Sequence, residues 1–324
     1  MRQITLKDVF IAYSRIRETV RETPFVEVES KALEADQQLF LKYEHRQITG
    51  SFKIRGALNK MASLPQEKRA RGVVAASSGN HAQGVAYAAQ LFHVPAKIII
   101  PESAPINKIN STKKLGAEVI IAGKNYDEAE LIAVDMAEKE DLPYIHAFND
   151  PEVIAGQGTV ALEMLMRHGD LDQLVIPAGG GGLMTGMALC AKAVNPRIRV
   201  VGVQSEASPP WYYAMRAGHV VSVDYAETLA DGLEGKILDE TFQMARNLVD
   251  DIVLVSEEAI ADSLRWLMGR QQIAEGSGAV GVAAVRSGAV LLSRKTGVVI
   301  SGGNIDLEQL YKIIKGEPTQ ETDS

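Results

Sequence analysis

The stretch Thr49-Gly50-Ser51-Phe52-Lys53-Ile54-Arg55-Gly56-Ala57 sets a lysine where a lysine is electrostatically out of place. Gly50 allows a tight turn, Ser51 has the chemistry of an N-cap, and Ile54, Ala57, Leu58 and Met61 recur at helical spacing. Lys53 then falls in the first turn of a helix, where the positive end of the dipole favours a neutral amine over a cation. A solvated surface lysine is the plain reading. An amine of lowered pKa that condenses with a carbonyl is the sharper one.

Three further stretches decide between them. Ser77-Ser78-Gly79-Asn80-His81-Ala82-Gln83-Gly84 follows an apolar run and opens a helical one. Backbone N–H groups at such a terminus, with two hydroxyls and an amide, suit a carboxylate; a turn with a simple cap is the alternative. Gly179-Gly180-Gly181-Gly182-Leu183 has no packing use, and its glycines permit close approach of backbone donors to a phosphate. Gly180, Gly182 and Gly186 also give a loose dinucleotide-type spacing, with Glu206 where a ribose-binding acid would stand, so a nicotinamide-dependent enzyme is a rival on spacing. Ser301-Gly302-Gly303-Asn304 ends the last apolar run. A neutral hydroxyl there could meet an aromatic ring nitrogen without protonating it, and a glycine turn with a serine cap is its bland counterpart. Phosphate cradle, amine, carboxylate loop and ring-nitrogen partner are together the parts that hold pyridoxal 5′-phosphate and an amino acid.

The elements that must position these loops alternate strictly. Short apolar runs at 72–76, 96–100, 118–122, 173–177, 199–203, 251–255 and 296–300 read as buried strands, and amphipathic or small-residue segments between them read as helices. Tyr144 to His146 reads as one more strand, and Glu206 to Gly235 as an irregular acidic and aromatic segment. The expected fold class is α/β, with two open, twisted, mostly parallel units and the active site in the cleft between them. The 324 residues carry a net charge of −7 and 46% hydrophobic residues but only 6% aromatics, as expected for a core built from Ala, Val, Ile and Leu. The acidic balance argues against nucleic acid. No run is long and apolar enough for a signal or a membrane span, and the single Cys190 fits a reducing compartment, so a cytoplasmic location is expected. His146 and His168 lack metal-ligand spacing.

The five motifs Thr49 to Ala57, Ser77 to His81, Val153-Ile154-Ala155-Gly156-Gln157-Gly158-Thr159, Gly179 to Leu183 and Ser301 to Asn304 together resemble the serine/threonine dehydratase and serine racemase family of pyridoxal-phosphate enzymes. The likeness runs in order over nearly the whole chain. It implies the tryptophan-synthase-β type of fold, with residues 1–65 and 147–324 forming a large cofactor domain, 66–146 an inserted small domain, and 317–324 a disordered tail. It implies that Lys53 carries the cofactor and acts as the base, that Phe52 packs near the ring, and that Asn80 bonds the ring's phenolic oxygen. Gly179, Gly180, Gly181, Gly182 and Leu183 would hold the phosphate, Ser301 the ring nitrogen, and Glu275 would lie beside the ring. The substrate carboxylate would rest on Ser77, Ser78, Gly79, Asn80 and His81.

The activity so implied is elimination of water from L-threonine or L-serine, giving a 2-oxo acid and ammonia, by a homodimer or homotetramer. Ser78, rather than the alanine of some dehydratases, keeps a serine racemase or a 3-hydroxyaspartate dehydratase open. Ala129 and Phe148 replace the arginine and asparagine of the mammalian racemases. Members that bind a divalent cation use a glutamate followed closely by an aspartate; here Glu206 is followed by Ala207-Ser208-Pro209-Pro210-Trp211-Tyr212, with no carboxylate, so hard-cation coordination is weakened and Glu206 is left as the one candidate ligand of a doubtful metal. A regulatory domain answering to isoleucine is likewise not expected. A non-catalytic amino-acid or nucleotide sensor is the reading from a different class.

Overall fold

The computed structural model describes residues 1–29, 34, 36–104 and 106–316; the tail expected at 317–324 lies outside them. Nine strands form two sheets. β1 (Phe25–Glu27), β2 (Gln38–Tyr43), β6 (Gln173–Pro177), β7 (Arg199–Ser205), β8 (Asp251–Val255) and β9 (Lys295–Ile300) make a six-stranded sheet in the order β1-β2-β9-β6-β7-β8. β3 (Val73–Ala76), β4 (Ala96–Ile100) and β5 (Glu118–Ile121) make a three-stranded sheet in that order. Every pairing is parallel except that of β1 with β2. β3 and β6 are buried along their whole length, which is why they read as uninterrupted apolar runs.

Three helices join the two sheets. Lys53–Ser63, Pro151–Arg167 and Gly182–Val194 cross with their backbones touching. A Cβ on Gly156 would stand 2.7 Å from the Arg55 carbonyl oxygen and from Gly56 Cα, and one on Gly186 only 2.2 Å from the Ile154 carbonyl oxygen. Side chains at these crossings would drive the helices apart, and with them the lysine and the glycine loop that two of the helices begin with. The second of these helices starts at Pro151, capped by Asp150 Oδ1, which accepts from the Glu152 and Val153 N–H groups.

Beneath the same crossing lies a buried ion network. Arg55 donates to Glu44 (2.8 and 2.9 Å) and to Glu163 (2.6 and 2.9 Å), and Lys42 donates to Glu163 at 2.6 Å and to the Thr23 carbonyl at 2.8 Å. The network ties β2, the turn after it and two helices into one unit.

Some local expectations change. Ser51 is not the cap of the lysine helix. Phe52 stands at that position, while Ser51 pairs with Gly302 in a β-bridge and its Oγ is buried without a partner. Tyr144 to His146 is not a strand. Tyr144 makes one isolated bridge to Val74, and then His146 Nδ1 accepts the N–H groups of Phe148 and Asn149, folding the chain into a turn. The irregular stretch from Glu206 contains a helix, Pro210–Ala217, with proline at its first position.

Candidate functional site

β3, β6 and β9 end at Ala76, Pro177 and Ile300, and the three polar loops follow directly. The carboxyl ends of parallel strands are where an open α/β sheet leaves a crevice. The fold closes these loops around Lys53.

Lys53 is the first residue of its helix, and its Nζ donates to the Ala147 carbonyl at 3.1 Å. Burial pushes its amine down to about 8, against a smaller opposing pull from Glu275. Desolvation, more than the dipole at the helix start, accounts for the lowered value. Phe148, next to Ala147, packs its ring into the glycine loop, 2.3 Å from where a Cβ on Gly180 would stand. On the other side the Phe52 N–H donates to the Ser301 carbonyl at 3.1 Å. The lysine thus sits between the glycine loop and the end of β9.

The glycine loop is an anion cradle by its hydrogen bonding. None of the backbone N–H groups from Gly179 to Leu183 has an acceptor among the described residues, and Gly181, at φ +97°, caps the helix that starts at Gly182. An L-side chain rarely adopts that φ, and one at Gly181 would also strike the Trp211 ring at 2.3 Å. Five unpartnered donors at a helix N-terminus match a phosphate in charge and number.

Gly79 caps the helix Asn80–Phe92 and faces open space, since a Cβ there would meet nothing within 4 Å. Its N–H donates to Ser77 Oγ at 3.2 Å. Ser78 is half-buried beside it. His81 is buried; its Nε2 donates to the Ile145 carbonyl at 2.8 Å, so the unpartnered Nδ1 is the bare nitrogen. Burial, and then the positive charge of Lys53, hold the imidazole neutral with a pKa of about 3. His81 therefore buttresses the loop and offers no positive charge to a carboxylate, leaving that task to N–H groups and hydroxyls.

Asn80 reaches across to the large sheet. Its Nδ2 donates to Glu275 Oε1 at 2.6 Å, and its Oδ1 accepts from Asn304 Nδ2 at 2.6 Å, so one N–H of the amide remains for a ligand. Glu275 caps the helix Gly276–Arg286 by position, yet its side chain makes no capping bond and turns to Asn80. Burial, with Asp231 nearby, pushes its carboxyl up to about 7. Ser301 is buried, and its Oγ donates to the Ser277 carbonyl at 3.3 Å, a long bond from which the hydroxyl can rotate to donate to a ring nitrogen instead.

These contacts bring Lys53, Phe52, Asn80, Glu275, Ser301 and the glycine loop together, and Ser77 and Ser78 stand in the loop that leads into Asn80. Glu206 is exposed, and no group of three or more His, Cys, Asp or Glu able to hold a metal ion occurs among the described residues. His146 is held between backbone donors and Glu130, 3.3 Å from its Nε2, while His168 packs between Phe25 and Phe40. Phe148 and Trp211, which shape the glycine loop, were not among the expected site residues. Their one sequence signal is a large aromatic in a chain otherwise poor in them.

Residues 16–302 match the family described as pyridoxal-phosphate dependent enzymes. The chain is 45% identical over 313 residues to an L-threonine ammonia-lyase of Thermotoga maritima, covering 96% of this chain and 78% of that protein. It is 39% identical to a catabolic L-threonine dehydratase of Escherichia coli K12, with 96% of each chain covered. Among solved structures it is similar to maize serine racemase, with a TM-score of 0.90 and 34% identity over 97% of this chain and 98% of that one.

Proposed function

Because the chain belongs to the pyridoxal-phosphate dependent enzyme family, we propose that it is an ammonia-lyase that converts L-threonine, and L-serine, to the 2-oxo acid and ammonia. The observation that carries this reading is Lys53, an amine held at about 8 by burial, joined through Ala147 and Phe148 to a loop of unpartnered N–H donors. Its likeness to L-threonine ammonia-lyases over 96% of the chain supplies the substrate.

When bound, pyridoxal phosphate supplies an aldehyde that captures the substrate's amino group and a conjugated ring that delocalises the electron pair left at Cα. The N–H groups of Gly179 to Leu183 would hold the phosphate, and the Ser301 hydroxyl would turn to the ring nitrogen. The free N–H of Asn80 would serve the ring's phenolic oxygen, with Phe52 beside the ring. Ser77, Ser78, Gly79, Asn80 and His81 form the carboxylate loop, with His81 fixing its shape from behind. Lys53 Nζ takes the proton from Cα, which calls for an amine that is not locked as a cation. Ser301, a hydroxyl and not a carboxylate, would not hold the ring nitrogen protonated, which favours prompt departure of the β-hydroxyl as water, with the proton returned from Lys53 Nζ. The released enamine is hydrolysed in water to the 2-oxo acid and ammonia. Ser78 is the residue for the opposite face of Cα, and it is what favours racemisation as a second reading.

The inserted unit is 66–146 and the cofactor unit 1–65 with 147–324; the enzyme is cytoplasmic and a homodimer or homotetramer, binding neither nucleic acid nor membrane. The separate three-stranded sheet supports the inserted unit, and no helix among the described residues is long and apolar enough to cross a membrane. Release of 2-oxobutanoate from L-threonine by the cofactor-loaded protein tests the reading. No oxo acid from either L-threonine or L-serine would sink it.

The lysine's pKa gives a second test. At pH 7 an amine of pKa about 8 is neutral to about a tenth, against about 0.03% for an ordinary lysine. Capture of pyridoxal phosphate by the cofactor-free protein should therefore speed up about tenfold per pH unit and level off near pH 8. A rate that keeps climbing to pH 10 would show an unperturbed lysine.

A further inference from the structure

The segment Pro209-Pro210-Trp211-Tyr212-Tyr213 has no part in the chemistry above, yet its tryptophan is completely buried against the anion loop. Trp211 Nε1 donates to the Gly179 carbonyl at 2.6 Å. Gln204, at the end of β7, donates from Nε2 to the Ala178 carbonyl at 3.0 Å, while its Oε1 accepts the N–H groups of Trp211 (2.9 Å) and Tyr212 (3.1 Å). One buried amide thus seats the tryptophan and holds the residue before the loop.

In a trans peptide unit the C=O and the following N–H point in opposite directions. With the Ala178 oxygen drawn back to Gln204, the Gly179 N–H faces the other way. With the Gly179 oxygen drawn back to Trp211, so does the Gly180 N–H. The Gly181 oxygen is taken by the Thr185 N–H at 2.8 Å, which turns the Gly182 N–H out in the same manner. Glycines carry no side chains to fix these orientations themselves and lose much freedom when fixed. Two of the cradle's donors therefore owe their direction to Gln204 and Trp211.

We infer that Trp211 and the Gln204 that seats it are positioning residues, the indole aiming the Gly180 N–H and the Gln204 amide the Gly179 N–H at the cofactor's phosphate. The inference rests on the cofactor assignment above. It requires that loss of the indole N–H weaken the grip on the phosphate specifically.

The full-length chain, freed of cofactor, is titrated with pyridoxal phosphate and separately with pyridoxal, which lacks the phosphate. Trp211→Phe should bind pyridoxal phosphate about tenfold more weakly, as expected for one lost hydrogen bond to a preorganised loop, and pyridoxal within about twofold of the parent. Equal weakening toward both, or no weakening toward either, overturns the inference. Gln204→Glu, which keeps the acceptor for Trp211 and Tyr212 but loses the donor to Ala178, should show the same selective loss. The unmodified protein gives an answer independent of either variant. Of its two indole N–H resonances, that of Trp211 should shift when inorganic phosphate saturates the cofactor-free protein, and that of Trp266 should not. A Trp211 resonance unmoved at saturation contradicts the proposal. Failure of the unmodified chain to bind pyridoxal phosphate at all would instead overturn the functional reading, and the inference with it.

Discussion

Replacing Lys53 by alanine is expected to abolish the visible absorbance of pyridoxal phosphate attached to the protein and to lower 2-oxo acid release by at least about 10³-fold. A positioned proton acceptor contributes about 10²–10⁴ in rate, and the same side chain is also the point of covalent attachment. The fold has no reason to change. Lys53 is half-buried, alanine favours the helix, and removal of a desolvated amine relieves an unfavourable burial. Lys53→Ala should therefore fold as the parent does and still bind phosphate at the glycine loop, so the loss is separable from misfolding. A variant that keeps the parent's visible spectrum would exclude Lys53 as the attachment point.

Arg55, two residues further along the same helix, carries the largest expected effect on stability. Its guanidinium is fully buried between Glu44 and Glu163, whose side chains are also buried. Arg55→Met leaves the shape of the core roughly intact but strands negative charge: Lys42 still pairs with Glu163, while Glu44 loses its one ion-pair contact and keeps the Thr23 hydroxyl and the more distant charge of Lys42. Breaking a buried pair by removing one partner costs about 3–5 kcal/mol, to be measured by urea unfolding at pH 7. The pH dependence gives the sign. Burial alone would raise the Glu44 pKa, but Arg55 and then Lys42 outweigh it and hold the carboxyl below its usual range. A lowered folded pKa means stability that is present above the unfolded pKa of about 4.5 and lost as the pH falls through the folded value. Arg55→Met should therefore lose less stability than the parent on acidification below pH 4.5, because most of that contribution is already gone. Equal stability of variant and parent at pH 7 would show that the network is not under the strain of buried charge described here.

How much of this was legible follows from what each residue does. β3 and β6 were readable because both of their faces are covered, whereas β5, exposed at Glu118 and Ile121, was readable only from its run of β-branched residues. β1 was not, since three edge residues, Phe25 to Glu27, make no pattern. The helix Pro210–Ala217 hid behind two prolines that read as loop, although proline fits the first turn. The reactive loops were conspicuous because glycines, serines and an asparagine cluster where packing has no use for them. Phe148 and Trp211 use ordinary core chemistry to shape the site, and nothing local separates them from core residues. Arg55 stood inside a quoted motif, yet its partner Glu163 is 108 residues away, and a pairing across that distance leaves no mark in either neighbourhood.

The most direct test of the central claim is proton NMR of the cofactor-loaded protein with L-threonine, then L-serine, in deuterated buffer. It follows the 2-oxo acid and exchange at Cα in one experiment. The account predicts rapid 2-oxobutanoate and pyruvate, with little deuterium in the substrate that remains, because loss of the β-hydroxyl follows promptly on removal of the Cα proton. Deuterated amino acid accumulating without oxo acid would contradict it and make Ser78 and racemisation the enzyme's business instead.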